Sequence, residues 1–353
     1  MTRRTRPPPP ASAKKAVCLA LQGGGSHGAF TWGVLDEILR DGRIEIEAVS
    51  GASAGAVNAV LLADGLADGQ RRVDRDLARD RLAGFWRAVA DAARFSPIQR
   101  TVIDRLMGDW SLDRSPGFAL FDLMGRVASP YLFNPLDLHP LKPILEDGVD
   151  FERVQRCRGF RLHLSATNVR TGRIALFERT AVTADHVLAS ACLPFLFQAV
   201  EIAGEAYWDG GYMGNPALFP FFRTCSSDDV LIVQINPLER PDLPRTAREI
   251  QERLNEITFN ASLMREFRAI DFVTRLLEEG RLDPVQYKHV LIHMITDSEA
   301  LAPLGASSKL NAEWEFLLHL RDAGRRAAEG WLAAHFDDLG ERSTVDIRAI
   351  VDG

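Results

Sequence analysis

Two kinds of apolar text alternate along the chain. Unbroken runs, AVCLALQ at 16–22, residues 44–50, FRLHLSATNV at 160–169, DVLIVQINP at 229–237 and KHVLIHMI at 288–295, read as strands buried on both faces. Between them apolar positions recur at helical spacing. Over 28–40 the stripe is Phe30, Val34, Leu35 and Ile38, and Asp41-Gly42 stops it. Further helices are expected at 55–63 (GAVNAVLLA), near 183–191, over a long polar stretch at 245–279, and once or twice within 308–336. Two hairpins interrupt the alternation. Thr171-Gly172 turns the chain into RIALFE at 173–178, and Ala203-Gly204 joins 197–202 to EAYW at 205–208. Helices alternating with buried strands predict an α/β domain with a largely parallel sheet.

Residues 64–150 break this pattern. Charged helical text is followed by GFALFDLMGRVASPYLFNPLDLHPLKPIL, an aromatic-rich segment cut by Gly and Pro. It reads as an insertion over the sheet. The expected organisation is therefore a basic, Pro-rich tail at 1–14, an α/β domain at 15–300 carrying that insertion, and a C-terminal helical extension at 301–353 packed on the domain.

Composition narrows the function classes. The 353 residues are 46% hydrophobic and 25% charged, with a formal net charge of −6, which argues against bulk nucleic-acid binding. The four cysteines, Cys18, Cys157, Cys192 and Cys225, lie far apart and form no C-x-x-C pair, so neither a disulfide framework nor a zinc site is expected. The apolar run after the basic tail is too short for a signal peptide, and no stretch approaches the ~18 apolar residues of a membrane span. The expected location is cytoplasmic with peripheral membrane contact; secretion by a signal-independent route would read the same way.

The candidate chemistry lies at two strand-to-helix turns. The first, LQGGGSHGAF, spells G-x-G-x-x-G through Gly23, Gly25 and Gly28, the spacing of a dinucleotide-binding loop. That reading needs an acidic residue closing the second strand. Glu47 stands at about that distance, but the strand text continues past it, and the turn itself holds GASAG. Gly51-Ala52-Ser53-Ala54-Gly55 is a G-x-S-x-G pattern between an apolar strand and an apolar helix, the setting of a nucleophile elbow. With a serine nucleophile at Ser53, the first loop fits an oxyanion hole, its successive N–H groups backed by a helix N-terminus.

A serine needs a base. None of the eight histidines stands in a loop just after a strand; His289 and His293 belong to strand text, His319 and His335 to helical text. Asp209-Gly210-Gly211, at the end of a strand, is the better candidate, with a plain tight turn as the alternative.

Together these residues resemble the patatin-like phospholipase family, which carries a G-G-G-x-x-G loop, a G-x-S-x-G nucleophile and a much later D-G-G or D-G-A. Here these are Gly23, Gly24, Gly25 and Gly28, then Gly51 to Gly55, then Asp209, Gly210 and Gly211. ASACLPFLFQ, with Ser190 and Pro194, is a fourth similar block. The resemblance covers residues 16–215 closely and 228–296 by pattern. It implies a three-layer α/β/α sandwich with a mostly parallel central sheet, a Ser53–Asp209 dyad without histidine, an acyl-enzyme, and no metal or organic cofactor. It implies a phospholipid or other acyl-ester substrate, met at a membrane surface. His27 departs from the family, which often has Arg or Lys there, and leaves head-group preference open. Phe118, Phe121, Tyr131 and Phe133, with Phe195 and Phe197, form either a small core of their own or an acyl-chain groove. Competing functions are hydrolysis of non-membrane esters or thioesters, a catalytically silent binding protein, and a dinucleotide-dependent oxidoreductase.

Overall fold

A computed structural model of the chain describes residues 14–67, 74–157, 159–240 and 242–352. The expected basic tail thus lies, apart from Lys14, outside the described residues. The strands are β1 (Lys15–Leu21), β2 (Ile44–Gly51), β3 (Arg161–Asn168), β4 (Ile174–Glu178), β5 (Val200–Ile202), β6 (Glu205–Asp209), β7 (Asp229–Val233) and β8 (Leu291–Ile295). They form one eight-stranded sheet in the order β5-β6-β3-β2-β1-β7-β8, with β4 added to β3. From β3 through β8 the neighbours are parallel; β4, β5 and β6 are antiparallel additions from the two hairpins.

Helices cover both faces. They are α1 (Gly28–Asp41), α2 (Ala54–Leu66), α3 (Arg75–Ala93), α4 (Pro116–Val127), α5 (Ala184–Ser190), α6 (Ala247–Glu278) and α7 (Trp314–His335), with shorter helical turns between them. Alternate residues of β1 feed two cores. Val17, Leu19 and Leu21 pack with Phe30, Leu61, Trp86 and Phe316 of the α1–α2–α3–α7 layer. Cys18 and Ala20 pack with Leu263, Phe267 and Ile270 of α6. This two-sided burial is why β1 shows no polar alternation. The chain is an α/β protein with a mostly parallel central sheet between helical layers.

The segment read as an insertion divides in two. Helix α3 buries Ala78, Leu82, Phe85 and Trp86 in the same core as β1, so its charged text is the outer face of a helix in the layer. The following residues instead leave Leu120, Leu123, Tyr131, Leu132, Leu136 and Leu138 exposed.

Candidate active site

Ser53 sits where β2 passes into α2, with φ 53° and ψ −124°. That backbone region is almost reserved for glycine and costs a serine of order 1–3 kcal/mol. The surroundings enforce it. A Cβ on Gly51 would lie 2.5 Å from the Gly55 carbonyl oxygen, and one on Gly55 would lie 2.1 Å from the Leu21 oxygen. Strand and helix therefore close to backbone contact, and the turn has no room to relax. The Ser53 N–H donates to the Ser190 carbonyl at 3.1 Å and to Ser190 Oγ at 3.0 Å, while Ser190 Oγ donates to the Ser165 carbonyl at 2.7 Å.

Strand β3 brings Asp209 to the elbow. His163 and Leu164 pair with β4 as well as β2, and Ala166 and Thr167 with β4 as well as β6. Strands β2 and β6 must then follow one another along the same edge of β3. Gly51 of β2 pairs with Leu164, and Asp209 of β6 pairs with Ala166, two positions further on. The strand that leads to Ser53 and the strand that ends in Asp209 thus end against each other. Ser165 Oγ marks the junction, donating at 2.7 Å to the Gly214 carbonyl and at 3.3 Å to that of Gly51.

Asp209 is wholly buried. Its Oδ1 accepts the Gly211 N–H at 2.7 Å, and its Oδ2 has no hydrogen-bond partner among the described residues. Burial pushes its pKa up to about 7, against the opposing pull of the Gly211 N–H, the neighbouring Ser53 hydroxyl and the Lys309 charge. A carboxyl so poised accepts a proton near neutral pH. Among the described residues no histidine is hydrogen-bonded to Ser53 or Asp209. His293 instead bridges Asp229 at 2.9 Å and Thr344 at 3.2 Å, fastening the C-terminal segment to the sheet.

The four glycines of the first loop are not equivalent. The Gly23 N–H donates to Asn215 Oδ1 at 2.7 Å, and the Gly28 N–H bonds the carbonyls of Gly25 and Ser26. Those two N–H groups are already hydrogen-bonded within the protein. Gly28 serves packing, since a Cβ there would lie 2.6 Å from that of Ala54. The N–H groups of Gly24 and Gly25 have no acceptor among the described residues. Gly25 takes φ +59°, and a Cβ on it would lie 2.4 Å from the Lys309 carbonyl oxygen. Gly25→Ala keeps the N–H but must shift it; with Gly25 as the expected oxyanion donor, the displacement should lower kcat on a soluble ester by up to about 10²-fold, with KM changed much less. Steady-state kinetics on the folded variant checks this.

The sequence model of the patatin-like phospholipase family matches residues 19–222, over half of the chain. The chain belongs to that family. Membership places it among lipid acyl hydrolases. No curated protein matches the sequence. Solved structures similar to it include VipD from Legionella pneumophila, with 16% identity over 92% of this chain and 68% of that one, at a TM-score of 0.45. The type III effector protein ExoU shows 15% identity over 91% of this chain and 53% of its own, at a TM-score of 0.32. In a complex with SpcU from the type III secretion system of Pseudomonas aeruginosa, full-length ExoU gives 14% identity and a TM-score of 0.29.

In this patatin-like chain His27 is buried, with Nε2 2.7 Å from Ser308 Oγ. Because Ser308 Oγ donates to the Gly305 carbonyl at 2.6 Å, it accepts from His27, which fixes the proton on Nε2. Burial, with the charges of Lys309 and Arg240, holds His27 well below the ordinary imidazole range. It is a neutral tie to the C-terminal segment and has no route to a head group. Glu47, the residue a dinucleotide site would have needed, binds Arg161 and the N–H groups of Ser226 and Ser227.

The aromatic segments do meet. A Cβ on Gly125 of α4 would lie 3.5 Å from the Phe195 carbonyl oxygen, Phe197 stacks on His139 at 3.9 Å, and the Ala199 N–H donates to Tyr131 Oη at 3.3 Å. Tyr131 and Phe195 are exposed, whereas Phe118, Phe121, Phe133 and Phe197 are half-buried. Sequence reasoning passed over Gln22, Asn215, Asn236 and Lys309. Gln22 Oε1 accepts from the N–H groups of Ile235 and Asn236, both at 3.0 Å, and Asn236 Nδ2 donates to the Gly23 carbonyl at 2.7 Å. These side chains hold the glycine loop from three separate parts of the chain, and no local pattern announces them.

Proposed function

We propose that this protein is a serine acyl hydrolase of the phospholipase A or lysophospholipase type, working through a Ser53–Asp209 dyad. One observation carries the reading: a wholly buried carboxyl with an unpartnered oxygen and a pKa near 7 stands beside the strained serine of a nucleophile elbow. Ser53 Oγ attacks the ester carbonyl as Asp209 takes its proton. The carbonyl oxygen becomes an oxyanion held by the N–H groups of Gly24 and Gly25. Collapse expels the alcohol, which leaves with the proton from Asp209, and an acyl-enzyme remains. A water then gives its proton to Asp209 and attacks the acyl carbon. Collapse of that second intermediate frees the fatty acid and returns the proton to Ser53.

The lipid enters from the aromatic side. Leu120, Leu123, Val127, Tyr131, Leu132, Leu136, Leu138 and Phe195 are 55–78% exposed there, clustered within residues 120–138 and beside Phe195. Among the described residues no helix is long and apolar enough to cross a membrane, so this face is read as a peripheral contact that feeds the acyl groove. The test is fatty-acid release from phosphatidylcholine and phosphatidylglycerol vesicles beside cleavage of a dispersed short-chain ester. Leu123→Asp with Leu132→Asp is expected to lower vesicle hydrolysis about tenfold or more while changing short-ester hydrolysis far less. An enzyme that cleaves the short ester yet ignores vesicles would make non-membrane esters the substrate.

A further inference from the structure

The helical turn Ala306–Leu310, far outside the residues matched by the family, lies against the turn Gly25–His27 that opens α1. One hydrogen bond, one close backbone approach and one relay through Asn236 connect this turn to the glycine loop. Ser308 Oγ accepts from His27, the Lys309 carbonyl lies where a Cβ on Gly25 would fall, and Lys309 Nζ donates to Asn236 Oδ1 at 2.9 Å. Asn236 is itself the donor to the Gly23 carbonyl. Lys309 Nζ lies 5.9 Å from the centre of the Phe259 ring, and a Cβ on Gly211 would strike Phe259 at 2.3 Å. The ammonium therefore sits between the glycine loop and the loop that carries Asp209.

We propose that Lys309 is a positioning residue of the hydrolase: its bond to Asn236 sets the glycine loop, and its ammonium beside Phe259 ties that loop to the one carrying Asp209. This rests on the dyad reading and adds to it a residue from the C-terminal segment. The groups that face the pair are these. Besides Lys309, Asp209 faces the Ser53 hydroxyl, the Cys192 thiol and the Tyr212 phenol, and burial raises both of the last two to about 12, leaving them neutral. Lys309 faces Glu256, Glu252, Arg240 and Asp209; burial and Arg240 lower its pKa, while the three carboxylates oppose that. Glu256 is already bound by Arg240 and Arg253. His27, being neutral, adds no competing charge.

The signs fix the experiment. Removing a cation raises the pKa of a neighbouring carboxyl. Lys309→Met removes both the charge and the bond to Asn236; Lys309→Gln removes the charge and keeps a donor for Asn236. Both variants, checked for folding by thermal melting, are expected to move the ascending limb of kcat/KM against pH upward by about 0.5–1 unit. For a one-unit move from 7, kcat/KM at pH 7 falls about fivefold. Lys309→Met should also lower the plateau at high pH, where ionisation is complete, and Lys309→Gln should lower it less. Lys309→Arg should keep the wild-type limb. A limb within 0.2 unit of wild type in both neutral variants would overturn the proposal. Fluorophosphonate labelling of wild type and Ser53→Ala, run in parallel, separates the two levels: label retained without Ser53 refutes the dyad, whereas loss of label with unmoved limbs refutes Lys309 alone.

Discussion

Ser53→Ala is expected to lose at least about 10³-fold in kcat on any ester and to lose fluorophosphonate labelling entirely, while melting within about a degree of wild type. The size of the loss follows from the absence of a substitute. The Oγ is the bond-forming atom, and Ala52 and Ala54 on either side carry no hydroxyl. The unchanged stability follows from how the elbow is held. Its backbone is fixed by the contacts at Gly51 and Gly55 and by the Ser53 N–H on Ser190, none of which uses the Ser53 hydroxyl. Alanine adopts φ 53° at about the same cost as serine. Labelling that persists in Ser53→Ala would place the nucleophile elsewhere.

Local glycines made much of this site readable. Gly51 closes on Gly55 within the turn and Gly55 on the end of β1 at Leu21, and the need for two residues without a Cβ there shows in the sequence as G-x-S-x-G. The choice against a dinucleotide loop rested on strand text continuing past Glu47, and β2 does run on to Gly51. What the sequence hides is tertiary. All four loop glycines read as one oxyanion feature, yet Asn215 takes the N–H of Gly23 and the loop's own carbonyls at Gly25 and Ser26 take that of Gly28. The first of these partners becomes visible only once the segment after β6 folds onto the glycine loop. Helix α3 misleads for another reason. Its text is dominated by Arg and Asp on the outer face, and the residues it buries, Ala78, Leu82, Phe85 and Trp86, recur at helical spacing within that charge. His27 invites a head-group role by its position, but burial against Ser308 decides its chemistry.

Asp209→Asn is expected to remove nearly all esterase activity and, above pH 7, to raise the melting temperature. The activity loss follows because an amide cannot take the Ser53 proton. The stability gain follows from linkage. In the folded protein burial lifts the pKa from 3.8 to about 7, so the native state binds this proton more tightly than the unfolded chain. Stability then falls as pH rises between those two values and stays lower above the second. Asparagine carries no charge to bury. Its Oδ1 still accepts the Gly211 N–H, and its Nδ2 occupies the place of an Oδ2 that has no partner. The gain in Tm should therefore be about 2 °C or more at pH 8 and should vanish toward pH 4. Lys309 loses one of three carboxylates in this variant but keeps Glu256 and Glu252, which limits the offset. Wild type should show kcat/KM rising with pH through about 7, the limb on which the dissection of Lys309 depends. Melting curves for the two proteins at pH 4, 6 and 8 decide the matter. A difference that stays constant, or shrinks as pH rises, would mean that the buried carboxyl is not the group that titrates, and the base would have to be sought elsewhere.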